Sequence, residues 1–189
     1  PTLFMPKQKV SEKFLIRQSL KVLRSKGYTD TSMEDIAEAC GIKKGSLYHY
    51  FKGGKKDILK AVINHVHEYY KSEIFIHAYD KQLGAKQKLQ LLANIAENQF
   101  FATDSGCLMG NLALETAGNM PEFSKMVQLF FQDWIDAMSH IFQEKYDLPK
   151  AEALAKNCVA QIEGSVMMMR LFNDISFLKQ THQDIIQLI

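Results

Sequence analysis

The run Lys43-Lys44-Gly45-Ser46-Leu47-Tyr48-His49-Tyr50 sets ammonium, hydroxyl and imidazole groups side by side. These groups hold phosphate oxygens and read base edges, and nothing in the run pairs them for bond chemistry. Their use depends on a frame that points them outward together. The preceding stretch supplies one: Ile36, Ala37 and Cys40 recur at helical spacing behind a capping Ser32, with Glu34 and Asp35 in the first turn, where the helix dipole favours acids. Gly41 follows where this helix must stop, because glycine takes the left-handed C-terminal conformation without steric cost. A second short helix, from Lys43 or Lys44 to about Phe51, turns Leu47 inward and crosses closely over the small Ala37. Lys44, Gly45, Ser46, Tyr48, His49 and Tyr50 are left on or near the outer surface, which such a helix-turn-helix offers to a major groove.

Other chemistry-bearing residues read more plainly. Cys107 heads a predicted helix, where the dipole stabilises a thiolate, so its pKa should fall; the same residue also reads as a small apolar filler at a bend. Cys40 and Cys158 sit on apolar stripes and read as core. Three cysteines so spaced fit neither a disulfide framework nor a C-x-x-C metal site, which points to a reducing cytoplasm. His65 and His67, beside Glu68, point to different sides of a helix, so no metal is expected there, and no cofactor elsewhere. Asp133 and Asp136 read as a solvated charge pair. Gly53-Gly54-Lys55-Lys56 lacks the leading glycine and the hydroxyl residue of a phosphate loop, and no hydrolase or zinc-protease motif occurs, so an enzyme is not expected.

The net charge of +2 hides a division. Residues 1–60 carry 13 Lys or Arg against 6 Asp or Glu, whereas residues 61–189 carry 10 against 15. Positive charge is confined to the end that carries the helix-turn-helix, as counterion release from phosphates requires. With 47% hydrophobic and 23% charged residues the balance is that of an ordinary soluble chain, and no apolar run approaches the ~20 residues that span a bilayer. Residues 1–4 carry no periodic signal and read as a remnant ahead of a natural start at Met5.

Helical periodicity runs through the remainder. A helix over residues 10–26 carries Ile16, Leu20 and Leu23 on one face; a long helix over about residues 55–79 would link the reader to the rest as a lever. Further helices are predicted over residues 85–102, 108–117, 122–146, 150–172 and 175–188, separated by stretches rich in helix stoppers. Phe123, Val127, Phe130, Trp134, Met138 and Ile141 form one large apolar face, which is core first and a ligand pocket by the sharper reading. Ala151, Ala155, Cys158, Ile162, Ser165, Met169 and Phe172 form a stripe of heptad spacing, continued on the last helix by Ile175, Leu178, His182, Ile185 and Ile189. Such stripes suit an interface between chains, and intramolecular packing gives the same pattern.

The segment SMEDIAEACGIKKGSLYHYF from Ser32, followed by GGKKDIL, resembles the N-terminal domain of the TetR family of bacterial transcription regulators, over roughly residues 10–62. Gly53-Gly54 makes the linker one residue longer than is commonest in the family. The resemblance implies an all-α fold: a three-helix helix-turn-helix DNA-binding domain over residues 8–54, then a helical effector-binding and dimerisation domain over residues 55–189. It implies that Ser32, Lys44, Tyr48, Tyr50 and Lys55 hold phosphates while Lys43, Gly45, Ser46 and His49 lie near base edges. It further implies a ligand-responsive repressor, a homodimer through the helices from Lys150 to Ile189, on a palindromic operator in double-stranded DNA, in the bacterial cytoplasm and not at a membrane. An unknown small-molecule effector would meet Phe100, Cys107, Met109, Asn111, Phe130, Trp134 and Met138. The segment GCLMGNLALE from Gly106 is similar to one in a subset of the family, some of whose members respond to electrophiles or oxidants, which gives a thiol sensor acting through Cys107 as an alternative. A small-molecule-binding protein that has lost DNA binding is a third reading.

Overall fold

Caps in the sequence decide where the helices begin. The computed structural model describes residues 10–101 and 106–189, the side chains of Phe100 and Phe101 apart. The Ser11 hydroxyl accepts from the Phe14 N–H at 3.2 Å and opens α1 (Glu12–Lys26). Ser32 and Asp35 form a reciprocal capping box at the head of α2 (Met33–Ala39). After α3 (Lys44–Tyr50) and α4 (Lys55–Glu73) come a 3-10 turn (Phe75–Tyr79), α5 (Ala85–Phe101), α6 (Leu108–Thr116), α7 (Pro121–Phe142), α8 (Leu148–Phe172) and α9 (Ser176–Ile186). Pro121 opens α7, Asp147 caps α8 through the Lys150 N–H at 3.0 Å, and Asn173 ends α8 in the left-handed region. The described residues are thus helical throughout their regular structure, and none of the helices is long and apolar enough to cross a membrane.

The chain packs as two units, one up to Val62 and one from Ile63 to Ile189, with α4 contributing to both. In the first, α1 packs on α2 and α2 on α3, and Leu15, Leu23, Ile36 and Leu47 are wholly buried. In the second, α7 and α8 form the central pair, α6 lies on α7, and α9 lies against α8 and α5. Phe130, fully buried, centres an aromatic cluster with His67, Tyr70, Phe75, Phe131 and Trp134 at centroid distances of 5.1–6.3 Å.

One expectation changes here, and one open alternative is narrowed. The long helix does not reach residue 79: the backbone leaves the α conformation at Ile74 (φ −121°) and tightens into the 3-10 turn. Packing sets this end, because Ile74 and Phe75 are buried and the turn carries Phe75 onto Phe130 and Trp134. The heptad stripe of α8 and α9 is used inside its own chain. Ala151, Ala155, Cys158, Ile162 and Ser165 are buried, as are Leu178, His182 and Ile185, because α8 lies between α7 and α9. Met169 is half-buried, and of the α8 stripe only Phe172 is exposed.

The start of α4 is fixed by charge. The Lys55 ammonium donates to the carbonyls of Tyr28 at 2.8 Å, Thr29 at 3.3 Å and Thr31 at 2.8 Å, and stands 4.3 Å from the centre of the Tyr28 ring. Its three hydrogens are all committed to the connection between α1 and α2. Lys55→Met leaves those carbonyls without their donor and is expected to destabilise the first unit by about 1.5–3 kcal/mol. Urea unfolding followed on that unit checks this; an unchanged midpoint would mean the anchor contributes nothing.

Candidate nucleic-acid interface and effector cavity

The turn between α2 and α3 follows from hydrogen bonding. Gly41 N–H donates to Glu38 and Ile42 N–H to Ala37, both at 3.0 Å, with Gly41 at φ +65°. This satisfies the last carbonyls of α2 and turns the chain at once into α3. Leu47 is wholly buried, so the opposite face of α3 is outward: Lys43, Lys44, Gly45, Tyr48 and His49 are exposed and Ser46 is half-buried. Gly54, at φ +64°, ends the connection to α4, and a Cβ there would come within 3.2 Å of the Tyr48 ring. The added glycine of the linker therefore serves a left-handed turn on which Tyr48 rests.

The remaining predicted contacts have tasks within the protein. The Tyr50 hydroxyl donates to the Val10 carbonyl at 2.9 Å, Lys55 is anchored as above, and the Ser32 hydroxyl is engaged in the cap of α2. The Lys26 ammonium, 2.6 Å from Asp35, together with the Ser32 N–H and hydroxyl, holds the Asp35 carboxyl far below the usual range. Lys44 pairs with Glu34 at 2.6 Å, which lowers the carboxyl and raises the ammonium. This pair is open to solvent, so it contributes little and leaves Lys44 available to a phosphate.

The second unit encloses a cavity of about 60 Å³. Its walls come from α4 (Tyr70), the 3-10 turn (Phe75), α5 (Leu89, Gln99), α7 (Trp134, Met138), α8 (Ile162, Glu163) and α9 (His182, Ile185), with Cys107 beside them. The Tyr70 hydroxyl donates to Gln99 at 3.1 Å, and His182 Nδ1 lies 2.8 Å from the Glu97 carboxylate. Of the pocket residues expected from sequence, Cys107, Trp134 and Met138 line this cavity. Met109 and Phe130 are packed in the core, at 1% and 0% exposure, and Asn111 lies on an outer groove with Leu114, Phe131 and Met167. The side chain of Phe100 lies outside the described residues. Tyr70, Phe75, Gln99, Glu163 and His182 escaped sequence reasoning because they converge from five elements. The available signals were a glutamate and a histidine on the apolar helices α8 and α9.

The shift at Cys107 runs upward, opposite to the fall expected from the helix terminus and in keeping with the apolar-filler reading. Its sulfur does cap α6, accepting from the Gly110 N–H at 3.4 Å. Yet burial, and then the neighbouring Glu163 carboxylate, push the thiol well above its ordinary range, outweighing the helix terminus. Asp133 is likewise not a bland solvated acid, since it holds His67 Nε2 at 2.8 Å and Lys71 at 3.6 Å. Among the described residues no three His, Cys, Asp or Glu side chains gather as a metal site.

Comparison with known proteins agrees with this geometry. Residues 15–62 match the family described as "Bacterial regulatory proteins, tetR family", and residues 85–184 match "Transcriptional regulator LmrA/YxaF-like, C-terminal domain". The chain is 27% identical over 170 residues to an uncharacterised HTH-type transcriptional regulator in the lacX 3' region of Lactococcus lactis, covering 84% of this chain and 83% of that one. Its fold matches a TetR transcriptional regulator from Legionella pneumophila with a TM-score of 0.88 at 23% identity, over 97% and 100% of the two chains. It also matches the regulatory protein TetR from Rhodobacter sphaeroides with a TM-score of 0.84 at 25% identity, over 95% and 98%. An outward-facing α3 in a basic N-terminal unit, followed by the matched helical unit, identifies the chain as a TetR-family transcriptional regulator with an LmrA/YxaF-like C-terminal domain, a DNA-binding protein and not an enzyme.

Proposed function

We propose that the chain is a cytoplasmic repressor that binds a palindromic operator as a homodimer and releases it when a small molecule enters the cavity of the second unit. The observation that carries the DNA contact is Gly45. It lies in a short exposed helix, and a Cβ built on it meets nothing within 4 Å. Glycine costs a helix roughly 0.5–1 kcal/mol against alanine, and the fold gains nothing for it here. Close approach of a duplex to α3 supplies the reason. In this reading Lys44 and Tyr48 hold phosphates while Lys43, Ser46 and His49 meet base edges. Ser32, Tyr50 and Lys55, the other phosphate contacts in this reading, also hold the frame of α3 through their polar atoms.

The dimer reading rests on the outer side of α8. Met167, Leu171 and Phe172 are 61%, 72% and 59% exposed, and Leu114 on α6 is 83% exposed. With Gly164 and Phe131, Met167, Leu171 and Leu114 line a groove of about 670 Å³. Exposed side chains of this size, gathered on one face, suit cover by a second copy. Coupling runs through α4 in this account: Tyr70 on that helix lines the cavity, and Lys55 at its start holds the connection between α1 and α2.

Gly45→Ala is expected to raise the stability of the first unit by about 0.5–1 kcal/mol in urea unfolding while weakening operator binding in a mobility-shift titration. Undiminished binding by the stabilised variant would remove the close approach. Met167→Glu combined with Leu171→Glu is expected to give a monomer in light scattering at concentrations where the unaltered chain is a dimer. A persistent dimer would place the interface on another face.

A further inference from the structure

The cavity wall contains an acid that the protein satisfies only in part, through the Cys107 thiol. Glu163 Oε1 is buried and has no hydrogen-bond partner among the described residues. The other oxygen, Oε2, sits against Gly110, where the Cβ of any other residue would collide with it, and the carboxylate borders the Cys107 thiol. Gly110, on the outer groove that Glu163 and Arg170 also line, thus leaves room for this carboxylate behind the cavity wall. Burying an acid without a full set of partners is costly, and an apolar residue of similar size would serve packing better.

The surroundings state what would answer it. Tyr70, Phe75 and Trp134 border the same space, and the rings of Phe75 and Trp134 are nearly parallel at 6.4 Å. No Lys or Arg is among the described residues that line it, and His182 is already held by Glu97 at 2.8 Å. An anion would meet Glu163 without a countercharge from the cavity lining, and an uncharged apolar molecule would leave its Oε1 without a partner. A cation bearing N–H groups pairs with the carboxylate and gains from the aromatic faces. We propose that the effector is an amphipathic amine or comparable N–H cation on an apolar body, and that Glu163 selects it. This rests on reading the cavity as the effector site.

Trp134, the single tryptophan of the chain, lines the cavity and reports its occupancy by fluorescence. The full chain is titrated with 4-phenylbutylamine, 4-phenylbutan-1-ol and 4-phenylbutyrate, which share a body and differ in charge. The amine is expected to bind about tenfold or more tightly than the alcohol, the difference one charge-assisted hydrogen bond makes, with the acid weakest. Glu163→Gln keeps the shape and is expected to bring amine and alcohol within about twofold of each other, without a loss of melting temperature. If alcohol or acid binds as well as the amine, or if the preference survives in Glu163→Gln, the cation is wrong and the cavity reading stands. If none of the three changes Trp134 emission or the melting temperature, both fall. The unaltered chain alone decides between these outcomes should the variant fail to fold.

Discussion

A single ammonium group sets the frame of the reader. Lys55 begins α4, and its three hydrogens reach the carbonyls of Tyr28, Thr29 and Thr31. Those residues join α1 to α2, so one side chain fixes the start of α4 against the segment from which the helix-turn-helix is built. The capping box of Ser32 and Asp35 begins immediately afterwards and Lys26 reinforces it, so the polar groups of this junction are used on one another. The outward face of α3 carries the polar groups left over, Lys44 among them in a solvent-exposed pair with Glu34. A division of labour is proposed from this arrangement: the buried and anchored groups hold the frame, and the exposed ones meet DNA.

The second unit uses its polarity differently. Its core is built around Phe130 and the rings that meet it, a non-directional packing that would accept many residues of similar volume. Against that background Glu163, Cys107 and the His182–Glu97 pair are conspicuous, because each adds a cost that apolar packing would avoid. Burial raises both the Glu163 carboxyl and the Cys107 thiol, so each resists ionisation more than a free group does and each gains from a positive partner. The helix terminus at Cys107 is outweighed by this burial.

The reader was legible in the sequence because its instructions are local. Ser32, Gly41 and the K-G-S-L-Y-H-Y-F run each act within a few residues, and helix boundaries there fell within two positions of those observed. The end of α4 was not legible, since Phe75 leaves the helix for partners more than fifty residues away on α7. The stripe on α8 was seen correctly as apolar but not assigned to its face, because periodicity does not say whether the partner is the same chain or another. The cavity was partly hidden for a similar reason: Trp134 and Met138 lie on one obvious helix face, whereas Tyr70, Gln99, Glu163 and His182 meet only when four other elements fold together. At Cys107 the dipole argument is local, whereas the burial and the Glu163 carboxylate that oppose it come from segments distant in sequence.

The most direct test of the central claim is binding of the full chain to duplex DNA from the region upstream of its own gene, at two salt concentrations and with excess competitor DNA. The account predicts tight, competitor-resistant binding that weakens steeply as salt rises, since phosphate contacts by an outward basic helix release counterions. Binding there that competitor abolishes, or whose strength is the same at both salt concentrations, would contradict it.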